Sequence, residues 1–427
     1  MLTRREWLQR TVGGTSLLAL GTGVPRIFAQ TAAAVDRQRD TILVVVELTG
    51  GNDGLNTVVP FDNDHYHRAR PRLRVPASSV VKLSDTIGLH PSLRPFESFW
   101  KQGQLAVVQG IGYPNPDRSH FESMEIWQTA DPKRQTGSGW IGRAVGELKA
   151  AEGRVPALHV GNRDLPLAVR GSSTGIPSID LGRSLELRPE RASAAGDSAS
   201  ESSDRASRWS VVSDLSRPGD SDGDLTAFVR RTSSQTLATV EQIHRATLEN
   251  RRDEFRFNRF NAVSATFEAR LQLVAQMIEA QLGSRVYYLS LEGFDTHAEQ
   301  TQSHPQLLAQ MAGGVQQFFQ RLTTSKAADQ VVLMTFSEFG RRVAENASAG
   351  TDHGAGSCSF VMGPSVKGGL LGKYPSLAPA DLDNGDLKHH VDFRQLYQTL
   401  LEDWLGRTGA PPFGQNFEKL PLLPSAS

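Results

Sequence analysis

The apolar positions fall into a few dense runs, most of them closed by glycine. The stretch "TILVVVELTGGNDG", Thr41 to Gly54, is a continuous β-branched block ending in Gly-Gly. Such a block predicts a strand buried on both faces, as in a parallel sheet. "QLAVVQGIGYP" (Gln104 to Pro114) predicts a second strand, and "RVYYLSLEG" and "QVVLMTFSEFG" a third and a fourth. Between the last two, Leu307, Met311, Val315, Phe318 and Leu322 keep helical spacing. Strand, helix and strand in succession make a βαβ unit with a right-handed crossover. A short strand is expected at Ser359 to Gly363. A helix is expected from Asp392 to Gly406, with Asp392 as N-cap and Gly406 just past its end. Phe260, Val263, Phe267, Leu271, Val274, Ile278 and Leu282 form one stripe, read as packing. The fold class that follows is α/β, a mostly parallel central sheet flanked by helices.

Two segments break this pattern. At the N-terminus, Arg4 and Arg5 precede Trp7, Leu8 and a weak Gly-rich apolar stretch. This reads as a twin-arginine signal peptide over residues 1–29, cleaved near Ala29, which implies periplasmic or secreted localisation and the twin-arginine translocation machinery as partner. No later apolar run reaches the roughly 18 residues that span a bilayer, so no membrane anchor is expected after cleavage. Residues 30–427 are read as a single domain, interrupted at about 188–223 by an insertion rich in Ser, Asp, Arg and Ala. Composition narrows the function. The 427 residues carry 46 basic and 46 acidic side chains, which gives no footprint for nucleic acid. Cys358 is the single cysteine, so stability rests on the core and not on a disulfide.

Candidate chemistry follows from where strands end. In open α/β sheets, ligands bind beyond the carboxyl ends of the strands. Asp53 follows the first strand; Ser119 and His120 follow the second. Asp295 and His297 follow the third, and Glu338 and Arg341 the fourth. A Gly-rich loop then brings Asp352 and His353. Aspartate and histidine at alternate positions of an extended segment point the same way, and together offer an oxygen and a nitrogen to a divalent cation such as Zn. One or two such ions would assist displacement at phosphorus or sulfur. On this reading Asp53, Asp295, His297, Glu338, Asp352 and His353 hold metal. Ser119 attacks an anionic ester or orients an attacking water, and His120 or Arg341 steadies the developing charge.

Each residue also has a plainer role open to it. Asp53 suits a turn, and Ser119 with Glu122 suits a capping box. Asp295 and His297 suit a shared hydrogen bond, and Glu338 with Arg341 a salt bridge. His65, His67, His389 and His390 are read as surface or supporting groups. "GGNDG" is not the dinucleotide-binding pattern. A non-catalytic envelope protein that binds a polysaccharide or a protein is the competing class.

The motifs "ELTGGNDGLNTVVP", "RSHFESMEIWQT", "EGFDTHAEQ", "TFSEFGRRVAEN", "GTDHGAGS" and "VDFRQLYQTLLEDWLG", in this order, resemble the bacterial domain of unknown function 1501 family. That family is similar to the alkaline phosphatase and sulfatase superfamily. The resemblance implies a parallel sheet, metals at the strand ends and a nucleophile on the helix after the second strand. It matches Asp53 to a first-strand metal aspartate, Ser119 to the nucleophile, and Asp295 with His297 to a later ligand pair. Glu338 departs from it, standing where an Asp-His is expected. Cys358 lies outside any sulfatase-type modification motif.

Overall fold

A computed structural model describes residues 41–148, 155–161, 165–171, 175–179 and 266–423. The signal-peptide reading, the 188–223 insertion and the start of the Phe260 stripe lie outside these residues. The main sheet contains nine strands among the described residues. In chain order they are β1 (Ile42–Thr49), β2 (Leu105–Gly112), β3 (Ala157–Val160), β4 (Ser178–Ile179), β5 (Val286–Glu292), β6 (Val331–Phe336), β7 (Ser357–Met362), β8 (Gly369–Leu371) and β9 (Val391–Asp392). Across the sheet the order is β8-β2-β7-β6-β1-β5-β3-β4, with β9 also paired to β2. β1 pairs in parallel with both β5 and β6, Val46 standing opposite Leu289 on one side and Thr335 on the other. Only β7 runs against its neighbours β2 and β6. The carboxyl ends of β1, β2, β5 and β6 therefore share one edge.

Why β1 reads as an unbroken apolar run is plain from its two faces. Val44, Val46 and Leu48 enter one core with Phe267 and Leu271 of α2 (Phe267–Glu279) and Met311 and Phe318 of α3 (Gln300–Thr324). Leu43 and Val45 enter the other with Ile126 and Trp127 of α1 (His120–Thr129) and Leu396 and Tyr397 of α4 (Phe393–Thr399). A strand covered on both sides has no polar face to show. The Phe267 part of the stripe is packing, as expected. The fourth and third predicted strands do flank a helix, but β1 is inserted between them. Asp392 caps α4 in a capping box with Gln395; the helix ends in a π turn, Leu400–Trp404, and Gly406 follows at φ +69°.

Gly-Gly at the end of β1 is required by contact. Gly50 and Gly51 have φ of +118° and +79°. A Cβ on Gly50 would stand 2.4 Å from the Asp295 nitrogen, and one on Gly51 would stand 2.2 Å from the Phe339 ring. Only glycine lets the three strand ends approach so closely.

One polar residue interrupts β1. Glu47 is buried, accepting from Gln128 Nε2 at 2.7 Å and Ser290 Oγ at 2.9 Å. Burial pushes its carboxyl up from 4.5 to about 7, and the nearby Glu338 adds to the rise. Below pH 4.5 folded and unfolded states both hold the proton. Above it the unfolded chain ionises first, so stability falls as pH rises, by about 3 kcal/mol once pH 7 is passed. Glu47→Gln keeps the shape and both partners. Urea denaturation should show the variant more stable than the parent at pH 8 and equal to it near pH 4.5. Parallel pH profiles for the two proteins would refute this.

Candidate metal centre

Beyond β5, the chain turns through Gly293 and Phe294 and presents Asp295 and His297. Beyond β6, residues 337–353 form a loop that folds back on itself. Gly354 N donates to Gly340 O and Gly340 N to Ala355 O, both at 2.8 Å, and Arg341 bridges to His353. That pairing sets His353 beside Asp295. From the third side, α1 begins with His120. The donors of His120, Asp295 and His353 all lie within 4.8 Å of one another. His297 joins them, its Nε2 3.1 Å from Asp295 Oδ1 and 2.8 Å from His353 Nε2.

The imidazoles are oriented by what holds their other nitrogens. His120 Nδ1 lies 2.9 Å from Glu338 Oε1, His297 Nδ1 3.2 Å from Asp352 Oδ1, and His353 Nδ1 2.8 Å from the Arg118 carbonyl. Those partners are acceptors, so each Nδ1 carries the hydrogen and donates it. In the neutral ring each Nε2 is then left with its lone pair, and all three Nε2 atoms face Asp295. His120 Nε2 is buried without a hydrogen-bond partner, Asp295 Oδ2 lying 3.5 Å away. Imidazoles donating Nδ1–H to oxygen while their Nε2 atoms converge on a carboxylate are the arrangement of metal-ligating histidines. The donors of His120, Asp295 and His353 fit a divalent cation, and His297 stands against Asp295 and His353 at its side.

Charge at the site is set locally. Asp295 is held low, to about 2: partial burial opposes its charge, but the Arg341 guanidinium at 2.7 Å and the His353 contact outweigh it. The hydrogen bond to Glu338 raises His120, and burial lowers His353. The Phe339 ring packs 4.9 Å from His120 and 4.6 Å from His353, closing the inner side. Asp295 and His297 remain 47% and 44% exposed, so the outer side is open to a ligand.

Several residues take other places than the sequence suggested. Asp53 is not among the donors. It caps the short helix Gly54–Thr57, and its Oδ2 meets Arg70 Nη1 at 2.5 Å and also Gln300 Nε2, with both charged side chains fully buried. Glu338 and Asp352 stand one step out, orienting His120 and His297. Glu338 Oε1 also accepts from Gly50 N at 2.8 Å. Arg341 is buried under the site, donating to Asp295 and to the carbonyls of Gly51, Thr351, Phe294 and Gly50. So engaged, it holds the strand ends together and has no face for a substrate. Ser119 occupies the N-cap position of α1, yet its hydroxyl makes no capping bond, and Glu122 pairs with Arg134 at 2.7 Å instead of closing a capping box. His65, His67, His389 and His390 lie outside the cluster. Arg70, Gln300 and Asn346 went unread in the sequence. Asn346 Nδ2 donates to the His297 carbonyl at 2.9 Å and to Asp352 Oδ1 at 3.1 Å.

Fold and site together define an α/β protein with a three-histidine, one-aspartate cluster at the carboxyl edge of its sheet. The chain belongs to the family described as "Protein of unknown function (DUF1501)", whose model matches residues 40–409. No curated protein matches it. Among solved structures it is similar to the lipoteichoic acid synthase LtaP from Listeria monocytogenes, at 9% identity and a TM-score of 0.37, over 90% of this chain and 76% of that one. It is similar to Ps i-CgsB at 8% identity and a TM-score of 0.33, over 87% and 73%. It is also similar to alkaline phosphatase from the Antarctic bacterium TAB5 at 9% identity and a TM-score of 0.28, over 78% and 95%. Among the described residues no helix is long and apolar enough to cross a membrane.

Proposed function

We propose that this protein is an exported, metal-dependent hydrolase or transferase acting on phosphate or sulfate esters. The observation that carries the reading is the convergence of three Nδ1-anchored imidazoles on the half-exposed Asp295. Three nitrogens and one oxygen suit Zn or a similar borderline cation. Such a cation, when bound, polarises an ester oxygen and favours ionisation of a nearby hydroxyl. The chain supplies the rest. His120, His297, His353 and Asp295 hold the cation, and Glu338, Asp352 and the Arg118 carbonyl keep their rings in place. Phe339 keeps water from the inner side. Ser119 adjoins His120 at the start of α1 with its hydroxyl free of the cap; it is the nucleophile, and the amide N–H groups of the helix start favour an anionic group beside it. Export rests on the Arg4-Arg5 leader.

The test is an ester panel. Zinc-loaded protein should hydrolyse aryl phosphate or aryl sulfate esters, and Ser119→Ala should lower kcat by about a hundredfold or more, the scale expected when a covalent route is lost. Metal-loaded protein inert on phosphate monoesters, phosphate diesters and sulfate esters alike would overturn the reading.

A further inference from the structure

Three of the cluster's donors come from two loops, one carrying Asp295 and His297 and the other His353. Nothing covalent fixes the distance between those loops. Arg341 and Asn346 each reach both, and so does a third side chain, buried behind the donors. Gln300, the first residue of α3, is 1% exposed. Its Oε1 accepts from Thr296 Oγ1 at 3.0 Å and from Thr351 Oγ1 at 2.7 Å. Thr296 lies between Asp295 and His297, and Thr351 lies two residues before His353. The Gln300 Nε2 donates to Asp53 Oδ2, and its backbone N–H donates to the Ala349 carbonyl at 3.0 Å. Asp53 in turn is fixed by Arg70, which also donates to the carbonyls of Arg342 and Val343, each at 2.9 Å, in the loop that leads to His353.

The Asp53 carboxylate decides which way the amide sits. It only accepts, so the nitrogen must face it and the oxygen is left to the two hydroxyls; turned over, oxygen would meet oxygen. A buried amide with these bonds made is rigid, and leaving any of them unmade is costly. A core position needing only bulk would carry leucine. Resting on the metal-centre reading above, the geometry points to Gln300 as a positioning residue: a tie anchored on the buried Asp53–Arg70 pair that sets the spacing between the two ligand-bearing loops and so the affinity of the centre for its cation. It touches no donor and acts through Thr296 and Thr351.

The test measures zinc affinity of the purified protein by competition with a chromophoric chelator, and the visible spectrum of the Co2+-loaded form. Partners that orient metal ligands change affinity by about 10- to 100-fold when lost. Gln300→Leu should weaken zinc by that range and alter the Co2+ spectrum. Should Gln300→Leu not fold, Thr351 decides: Thr351→Val deletes one hydroxyl and leaves Asp53 untouched. It should weaken zinc about tenfold, at the low end of the same range, while Thr351→Ser restores parental affinity. In a folded Gln300→Leu background, Thr351→Val should add nothing further. Parental affinity and spectrum in Thr351→Val, or equal weakening by Thr351→Val and Thr351→Ser, would overturn the tie while leaving the centre intact. A parent protein that binds neither zinc nor cobalt would overturn the centre and the tie together.

Discussion

Replacing Arg70 with methionine is expected to remove about 3–5 kcal/mol of folding stability at neutral pH, the scale for breaking one side of a buried ion pair. Arg70 and Asp53 are both fully buried, with Nη1 and Oδ2 2.5 Å apart. The guanidinium also donates to Asn56 Oδ1 at 2.8 Å and to the carbonyls of Val343 and Arg342. Methionine fills much of the space but offers no donor, which leaves a carboxylate in the interior with only Gln300 and the Asn56 N–H for partners. In the parent, burial works against the Asp53 charge, yet the Arg70 charge prevails and the carboxyl lies below its ordinary range. That contribution is present above the unfolded pKa and is lost as pH falls through the folded one. In the variant the Arg70 charge is gone, burial outweighs the Gln300 hydrogen bond, the carboxyl rises, and the sign reverses: the penalty grows as pH climbs past the unfolded value and fades in acid. Urea denaturation at pH 7.5 and at pH 4.5 reads both effects. Arg70→Met with Asp53→Asn should recover part of the neutral-pH loss, because no charge is then stranded. A deficit below about 1 kcal/mol at pH 7.5, the range of an exposed pair, would show that the pair is not the anchor its burial indicates.

The case of Asp53 shows where the sequence is legible and where it stops. β1 could be read because a strand covered on both faces must be apolar throughout. α3 could be read because its buried positions recur at helical spacing. The direction of β7 could not, since a short apolar strand looks the same whichever way it runs. Asp295, His297 and His353 stand at strand ends, where the topology alone brings chemistry to one edge. The role of His120 depends on Glu338, 218 positions away, taking its Nδ1, and spacing along the chain carries no such information. Asp53 was open to reading as a ligand because its partner sits in "RARPRLR", an arginine-rich run that resembles a solvated surface. Nothing local marks Arg70 as the one that turns inward. The same holds for the adjacent pair Arg341 and Arg342, of which only Arg341 is fully buried beneath the site.

The second large effect concerns the cation. His297 Nε2 and His353 Nε2 are 2.8 Å apart, and each ring already donates from Nδ1. Two bare lone pairs at that distance repel, so a proton or a cation has to lie between them. The Asp295 carboxylate, held ionised by Arg341, favours the higher charge. A divalent ion should therefore stabilise the fold strongly. By mass action the gain is about 4 kcal/mol at a thousandfold excess over the dissociation constant. Denaturation of chelator-stripped protein titrated with zinc should show this rise, saturating at one ion per chain. His353→Ala removes both the donor and the opposing lone pair, so its chelated form should be no less stable than the parent's, while the zinc-dependent gain disappears. Asp352→Asn keeps all four donors but weakens the hold on His297 Nδ1, and should shift the titration by about 10- to 100-fold without abolishing it. If His353→Ala is stabilised by zinc as much as the parent, the ion is held elsewhere and the histidines at the sheet edge are not its ligands.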